Sequence, residues 1–188
     1  NPSEGSLLAR IARGNAADID AAVNAAAFGC YANMGQICMS TERLVVDQSI
    51  ADAFVEKLAA KARSLPHGNP RAHVILGALV TQEAATRNKE LLDDAVAKGA
   101  RVVAGGDFNG AVVSATLVDR VTPNMRIYSE ESFGPVKPVV RVNGVEEAIR
   151  VAAFLVDVHA DHHEAARAVL LLHLVHPRER PAARAAPR

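Results

Sequence analysis

Residues 33–63 read Asn33-Met34-Gly35-Gln36-Ile37-Cys38-Met39-Ser40-Thr41-Glu42, then RLVVD (43–47) and QSIADAFVEKLAAKAR (48–63). The first part, residues 33–40, is mostly small or polar with a glycine near its centre, as in a loop, while the apolar run 43–47 reads as a short buried strand. Ile50, Phe54, Leu58 and Ala62 then recur every fourth residue, which makes one apolar stripe of an amphipathic helix. Its other face is charged, and it ends before Pro66 because a residue preceding proline avoids helical geometry. Loop, strand and helix in that order are one step of a layered α/β fold, with Cys38 in the loop.

The alternation continues on both sides. Upstream, Asn15 or Asp18 can cap an alanine-rich helix that runs to about Phe28, with Gly29 as its stop. Downstream, a helix over about 82–98 turns Leu91, Leu92, Ala95 and Val96 inward and carries Glu83/Arg87 and Asp94/Lys98 in the favourable acid-first order, with Gly99 at its end. Residues 101–104 and 115–119 read as strands. Between them Gly105-Gly106 lacks the GxGxxG pattern and following helix of a phosphate-binding loop, so it reads as a turn. Residues 136–142 (VKPVVRV) form another strand, in which Pro138 is expected to force an edge or bulge position. A further helix begins at Glu146. Helices alternating with strands favour a mostly parallel sheet.

Composition narrows the function classes. At 188 residues and 49% hydrophobic content the chain can build one sizeable core. Its 21 basic residues balance 21 acidic ones, so no overall field attracts nucleic acid or an anionic membrane surface, and neither is expected as a partner. No apolar stretch reaches the roughly 18 residues of a membrane span, and the start, Asn1-Pro2-Ser3-Glu4-Gly5, lacks the pattern of a signal peptide. The two cysteines, Cys30 and Cys38, form neither a disulfide framework nor a CxxC pair, which suits reduced thiols in a cytoplasm.

Cysteine is a nucleophile only as thiolate, and a free thiol with a pKa of about 8.5 is mostly protonated at neutral pH, so a reactive cysteine needs activation. Around Cys38 the sequence provides a loop, a glycine three residues earlier that permits close backbone approach, and following N–H groups that could face a developing oxyanion. The competing reading is a small buried hydrophobe beside Ile37 and Met39. Cys30, next to Gly29 and Tyr31, keeps that second reading.

Three separated segments, in order, resemble the aldehyde dehydrogenase family. Phe28-Gly29 and Asn33-x-Gly35-Gln36-x-Cys38 resemble its active-site cysteine signature, and Glu130-Glu131-Ser132-Phe133-Gly134-Pro135-Val136 resembles its Glu-x-Phe-Gly-Pro run. Between them Leu76-Gly77, Ala95-x-x-x-Gly99-Ala100, Gly105-Gly106 and Thr116 match comparable elements. The resemblance implies a layered α/β catalytic domain over residues 1–152 that oxidises a small aldehyde to a carboxylic acid with NAD or NADP. In that chemistry Cys38 attacks the aldehyde carbon to give a thiohemiacetal, and hydride transfer leaves a thioester. Glu131 accepts hydrogen bonds from the ribose hydroxyls on the nicotinamide side, and Phe133 packs near that end of the cofactor. The family is usually homo-oligomeric.

The resemblance also implies what lies elsewhere. In the family a Glu-Leu-Gly-Gly-Lys type motif with the general base immediately precedes an Asn-Pro pair, and this sequence opens on Asn1-Pro2. The base, the nucleotide-binding domain and the amide that completes the oxyanion hole are therefore expected upstream, and the chain by itself is expected to be a poor dehydrogenase or none. A CoA-acylating relative, in which a thiol releases the acyl group, is the second enzyme reading. A catalytically inactive remnant or assembly partner is the third.

After Ala152 the family pattern stops. Five of the seven histidines follow, and from Pro177 the chain is only Pro, Arg, Glu and Ala. Residues 153–188 are thus expected to be a separate, partly disordered tail, with 168–175 (AVLLLHLV) as a short apolar helix. His159, His162, His163 and Asp161 offer metal-ligand atoms, but no second ligand group stands at a defined spacing, so no metal site is expected.

Overall fold

The computed structural model describes residues 16–160 and 168–172. Its elements are α1 (Ala16–Tyr31), a short 3-10 turn (Ala32–Gly35), β1 (Thr41–Asp47), α2 (Gln48–Arg63), α3 (Gln82–Ala97), β2 (Arg101–Ala104), β3 (Phe108–Asn109), β4 (Val112–Val113), β5 (Thr116–Asp119), α4 (Arg126–Ser129), β6 (Val136–Val142), α5 (Val145–Ala160) and β7 (Ala168–Leu172). Five strands form one sheet in the order β2-β5-β6-β1-β7, and β3 and β4 form a separate hairpin. β6 runs parallel to both β5 and β1, β1 runs parallel to β7, and only β2 is antiparallel to its neighbour. The expected α/β class with a mostly parallel sheet is what the chain adopts.

All seven residues of β1 are buried, because helices cover both faces of the sheet. Leu44, Val46 and Val139 pack with Phe54 and Leu58 of α2 and with the inner side of α1. Val45, Val140 and Val142 pack on the opposite face with Leu91 and Leu92 of α3 and with Ile127 and Tyr128 of α4. A strand with two buried faces reads as a continuous apolar run rather than an alternating one. Leu58 is fully buried, so Leu58→Ala is expected to cost about 2–5 kcal/mol.

Caps set the element ends. Asp47 closes β1 and caps α2, its Oδ1 accepting from the Ser49 N–H at 2.9 Å, while its Oδ2 accepts from the Gly144 N–H at 2.7 Å just before α5. Thr81 caps α3 through the Ala84 N–H at 3.2 Å.

Four expectations change. Val96, expected to face inward on α3, is exposed, because it lies outside the buried stripe of Leu91, Leu92 and Ala95. Gly29 does not stop α1, which continues to Tyr31; a Cβ at Gly29 would come within 2.6 Å of Thr41 Oγ1, so this glycine lets the start of β1 pass close to the helix. The chain turns instead at Asn33, Met34 and Gly35, all with positive φ. Pro138 lies in an interior strand, not at an edge. β6 pairs with β5 over Val136, Lys137 and Pro138 and with β1 from Val139 onward, so the missing N–H falls where the strand passes from one partner to the other. Residues 168–172 are a strand on β1 rather than a helix; a short apolar run has no period that separates the two states, and the free edge of β1 supplies pairing partners. α5 runs continuously through residue 152. The expected disorder of the tail, its histidine cluster and its proline- and arginine-rich end fall outside the residues and side chains described. Among the described residues no helix is long and apolar enough to cross a membrane.

Candidate active site

Two loops carry the residues singled out from the sequence. The first links α1 to β1. After its left-handed turn the chain makes a tight bend at residues 37–40, closed by the Ser40 N–H donating to the Ile37 carbonyl at 2.8 Å. Cys38 and Met39 occupy the two corner positions, and both are exposed, Met39 by 82%. The base of the bend is fixed: Ser40 Oγ donates to the Gly29 carbonyl at 3.0 Å, and Gln36 Oε1 accepts from the Val80 N–H at 2.9 Å. Cys38 is thus presented at an apex rather than packed beside Ile37 and Met39. Cys30 is buried, and burial pushes its thiol up to about 12, with a smaller lowering from Lys137 and a smaller raising from Glu42. At neutral pH Cys30 is an inert thiol.

The second loop links α4 to β6 and carries Glu131 and Phe133. Its backbone is held from two sides. Arg43 of β1 donates from Nε to the Tyr128 carbonyl at 2.5 Å and from Nη2 to the Glu130 carbonyl at 2.9 Å. From α3, Arg87 donates to the Glu131 carbonyl at 3.2 Å and Asn88 Nδ2 to the Ser132 carbonyl at 2.9 Å. Phe133 sits at φ 44°, a left-handed conformation that costs a non-glycine residue about 1–3 kcal/mol and persists only where the surroundings enforce it.

Beneath this loop lies a buried ion pair. Lys137 Nζ donates to Glu42 Oε1 at 2.5 Å, and both side chains are almost wholly excluded from solvent. The other carboxylate oxygen of Glu42 accepts from the Ser132 N–H at 2.8 Å and from Ser132 Oγ at 2.9 Å. Sequence reasoning missed Glu42, Arg43, Asn88, Ser132 and Lys137 as parts of the site. A signal was present: a charge inside a buried strand, as in VKPVV, demands a partner.

The two loops meet at glycines. A Cβ on Gly35 would run into the Gly134 carbonyl, and one on Gly134 would collide with the Asn88 amide. Gln36 from the first loop and Glu131, Ser132 and Phe133 from the second line one open cavity of about 280 Å³, with Val80, Ala84 and Arg87. Cys38 is not among its lining residues. Arg126 grips the adjacent Glu130 through two bonds of 2.8 and 3.0 Å, and this holds its carboxyl below the usual carboxylate range. Glu131, half-buried, is the acid that lines the cavity.

The model of the aldehyde dehydrogenase family matches residues 12–153, a span that includes both loops and every strand from β1 to β6. The chain belongs to the aldehyde dehydrogenase family. It is 56% identical over 137 residues to a vanillin dehydrogenase from Pseudomonas fluorescens, an alignment covering 72% of this chain and 28% of that one. Among solved structures, salicylaldehyde dehydrogenase from Pseudomonas putida G7, complexed with salicylaldehyde, matches with a TM-score of 0.69 at 50% identity, over 72% of this chain and 28% of that one. NADP-dependent glyceraldehyde-3-phosphate dehydrogenase from Bacillus halodurans C-125, complexed with NADP, matches with a TM-score of 0.71 at 28% identity, over 82% of this chain and 35% of that one. The chain therefore spans less than a third of the length of the curated relatives it matches.

Proposed function

We propose that this chain is the nucleophile-bearing portion of an NAD(P)-dependent aldehyde dehydrogenase that oxidises small aldehydes, with arylaldehydes as the substrate class. The observation that carries this reading is the joining of two loops, an exposed cysteine turn and a rigidly held Glu-x-Phe-Gly-Pro loop, through the contact of Gly35 with Gly134. The substrate class rests on relatives named for vanillin and salicylaldehyde.

Cys38, as thiolate, attacks the aldehyde carbon. A carbon–sulfur bond forms, the carbonyl electron pair moves to oxygen, and the oxyanion lies against the cysteine's own backbone N–H. Bound NAD(P) supplies the hydride acceptor. The residues present fit one end of such a cofactor: Glu131 offers acceptor oxygens for the two hydroxyl donors of a ribose, and Phe133, 40% exposed, offers an apolar ring beside it. Once hydride has left, Cys38 holds the acyl group as a thioester. A reducing cytoplasmic setting goes with this reading, because the nucleophile must stay unoxidised.

The test is aldehyde-dependent reduction of NAD and of NADP by the full chain and by its Cys38→Ser variant, followed by absorbance of the reduced nicotinamide, with benzaldehyde as the probe. Turnover by the wild type that the variant loses supports the reading. Measurable turnover that the variant retains, or benzaldehyde-dependent reduction that survives alkylation of Cys38, overturns it.

A further inference from the structure

The Glu42–Lys137 pair is more than a buried contact between neighbouring strands. Glu42 lies four residues after Cys38 on β1, and Lys137 lies four after Phe133 on β6. Each strand therefore leads out of one of the two loops, and the pair joins the starts of the two strands. Burying both charges is costly, and a pair of apolar residues of similar volume is often as stable or more so. What an apolar pair lacks is an acceptor. Here the second oxygen of Glu42 takes both hydrogen-bond donors of Ser132, and Ser132 is the residue between Glu131 and Phe133. Lys137 in turn holds Glu42, since its ammonium group has no exposure to solvent and the carboxylate is its charge partner.

We propose that Glu42 and Lys137 are positioning residues, which fix the loop of Glu131 and Phe133 through Ser132 and, through the contact of Gly134 with Gly35, set the cysteine turn against it. Lys137 neutralises and orients Glu42. Glu42 holds Ser132, and Ser132 fixes the strained turn at Phe133. The importance of this arrangement for catalysis rests on the function proposed above, whereas the mechanical claim stands on the geometry alone.

The test compares two double variants of the full chain, both without the buried charges. Glu42→Gln with Lys137→Gln keeps a carbonyl acceptor for Ser132 and lets the two amides pair. Glu42→Met with Lys137→Met keeps the volume and removes the acceptor. Hydrogen exchange followed by mass spectrometry reads residues 130–135 separately from α2. The methionine pair is expected to speed exchange in 130–135 by about tenfold or more relative to the glutamine pair, with α2 equally protected in both. Equal exchange in 130–135 would overturn the proposal. If the methionine pair also loses protection in α2, Ser132→Ala replaces it: about threefold faster exchange confined to 130–135 is expected, and unchanged exchange overturns. A second readout, the rate of Cys38 alkylation by iodoacetamide, should change by at least about threefold in the methionine pair and stay within about twofold in the glutamine pair. Neither readout needs aldehyde or cofactor, so a Cys38 that fails to react with an aldehyde would sink the proposed function and leave this result standing.

Discussion

The cysteine turn and the Glu131–Phe133 loop meet at Gly35 and Gly134 but are built in opposite ways. The first holds its base with a few bonds and leaves Cys38 and Met39 at an exposed corner. The second has three backbone carbonyls, and a fourth at Tyr128 in the preceding α4, caught by side chains from β1 and α3, and one N–H caught by a buried carboxylate. In the proposed function the first loop carries a nucleophile, which must reach a substrate and later release it, so access matters most there. The second, proposed to align a cofactor, gains from fixed geometry, because hydride transfer depends on oriented binding. The buried charges of Glu42, Arg43 and Lys137 therefore serve the second loop.

This contrast makes unequal mutational costs the first expectation. Lys137→Met alone would leave the Glu42 carboxylate buried without its cation and cost about 3–5 kcal/mol in urea denaturation. Cys38→Ser, at an exposed corner, should cost less than about 0.5 kcal/mol. Comparable losses for the two would erase the distinction between the loops. Next in size is Gly35→Ala, at φ 73° and against the Gly134 carbonyl. The left-handed geometry alone costs about 1–3 kcal/mol, and the collision adds to it.

Glu131→Gln sharpens the comparison without breaking the fold. It should weaken NAD(P) binding about tenfold, or about 1.4 kcal/mol, and move the urea midpoint very little, as titration and denaturation would show. The smallest effect expected is a pH dependence. The Glu130 carboxyl is held below its ordinary value by Arg126. Its contribution is therefore complete above the ordinary carboxylate range and is lost as pH falls through the depressed folded value. Acidification should lower the loop's protection factors, taken relative to the intrinsic exchange rate at each pH, before the core responds, and Arg126→Met should flatten that dependence.

Much of the fold was legible because its signals are local. The apolar run after Arg43 and the fourfold spacing from Ile50 to Ala62 identify β1 and α2 directly, and a loop at Cys38 follows from its small and polar neighbours, whereas the exposure of the thiol itself does not. Other features depend on partners distant in sequence. Whether Gly29 ends a helix or makes room for Thr41 is decided by where β1 starts. The tolerance of Pro138 depends on which strand pairs at each of its sides. The buried ion pair joins residues 95 apart, and only the oddity of a lysine within an apolar strand hints at it. The Cys38 and Glu131 segments stand out through family resemblance, whereas Glu42, Arg43 and Asn88, which hold the second loop, emerge only from geometry.

The most direct check on the central reading, an exposed reactive Cys38 beside an inert Cys30, is site-resolved alkylation of the native chain by iodoacetamide with and without benzaldehyde, quantified by mass spectrometry of each cysteine peptide. Cys38 should react, benzaldehyde should slow that reaction by at least about fivefold, and Cys30 should stay unmodified until the chain unfolds. Alkylation of Cys38 at one rate regardless of aldehyde, or of both cysteines at similar rates in the folded chain, would contradict it.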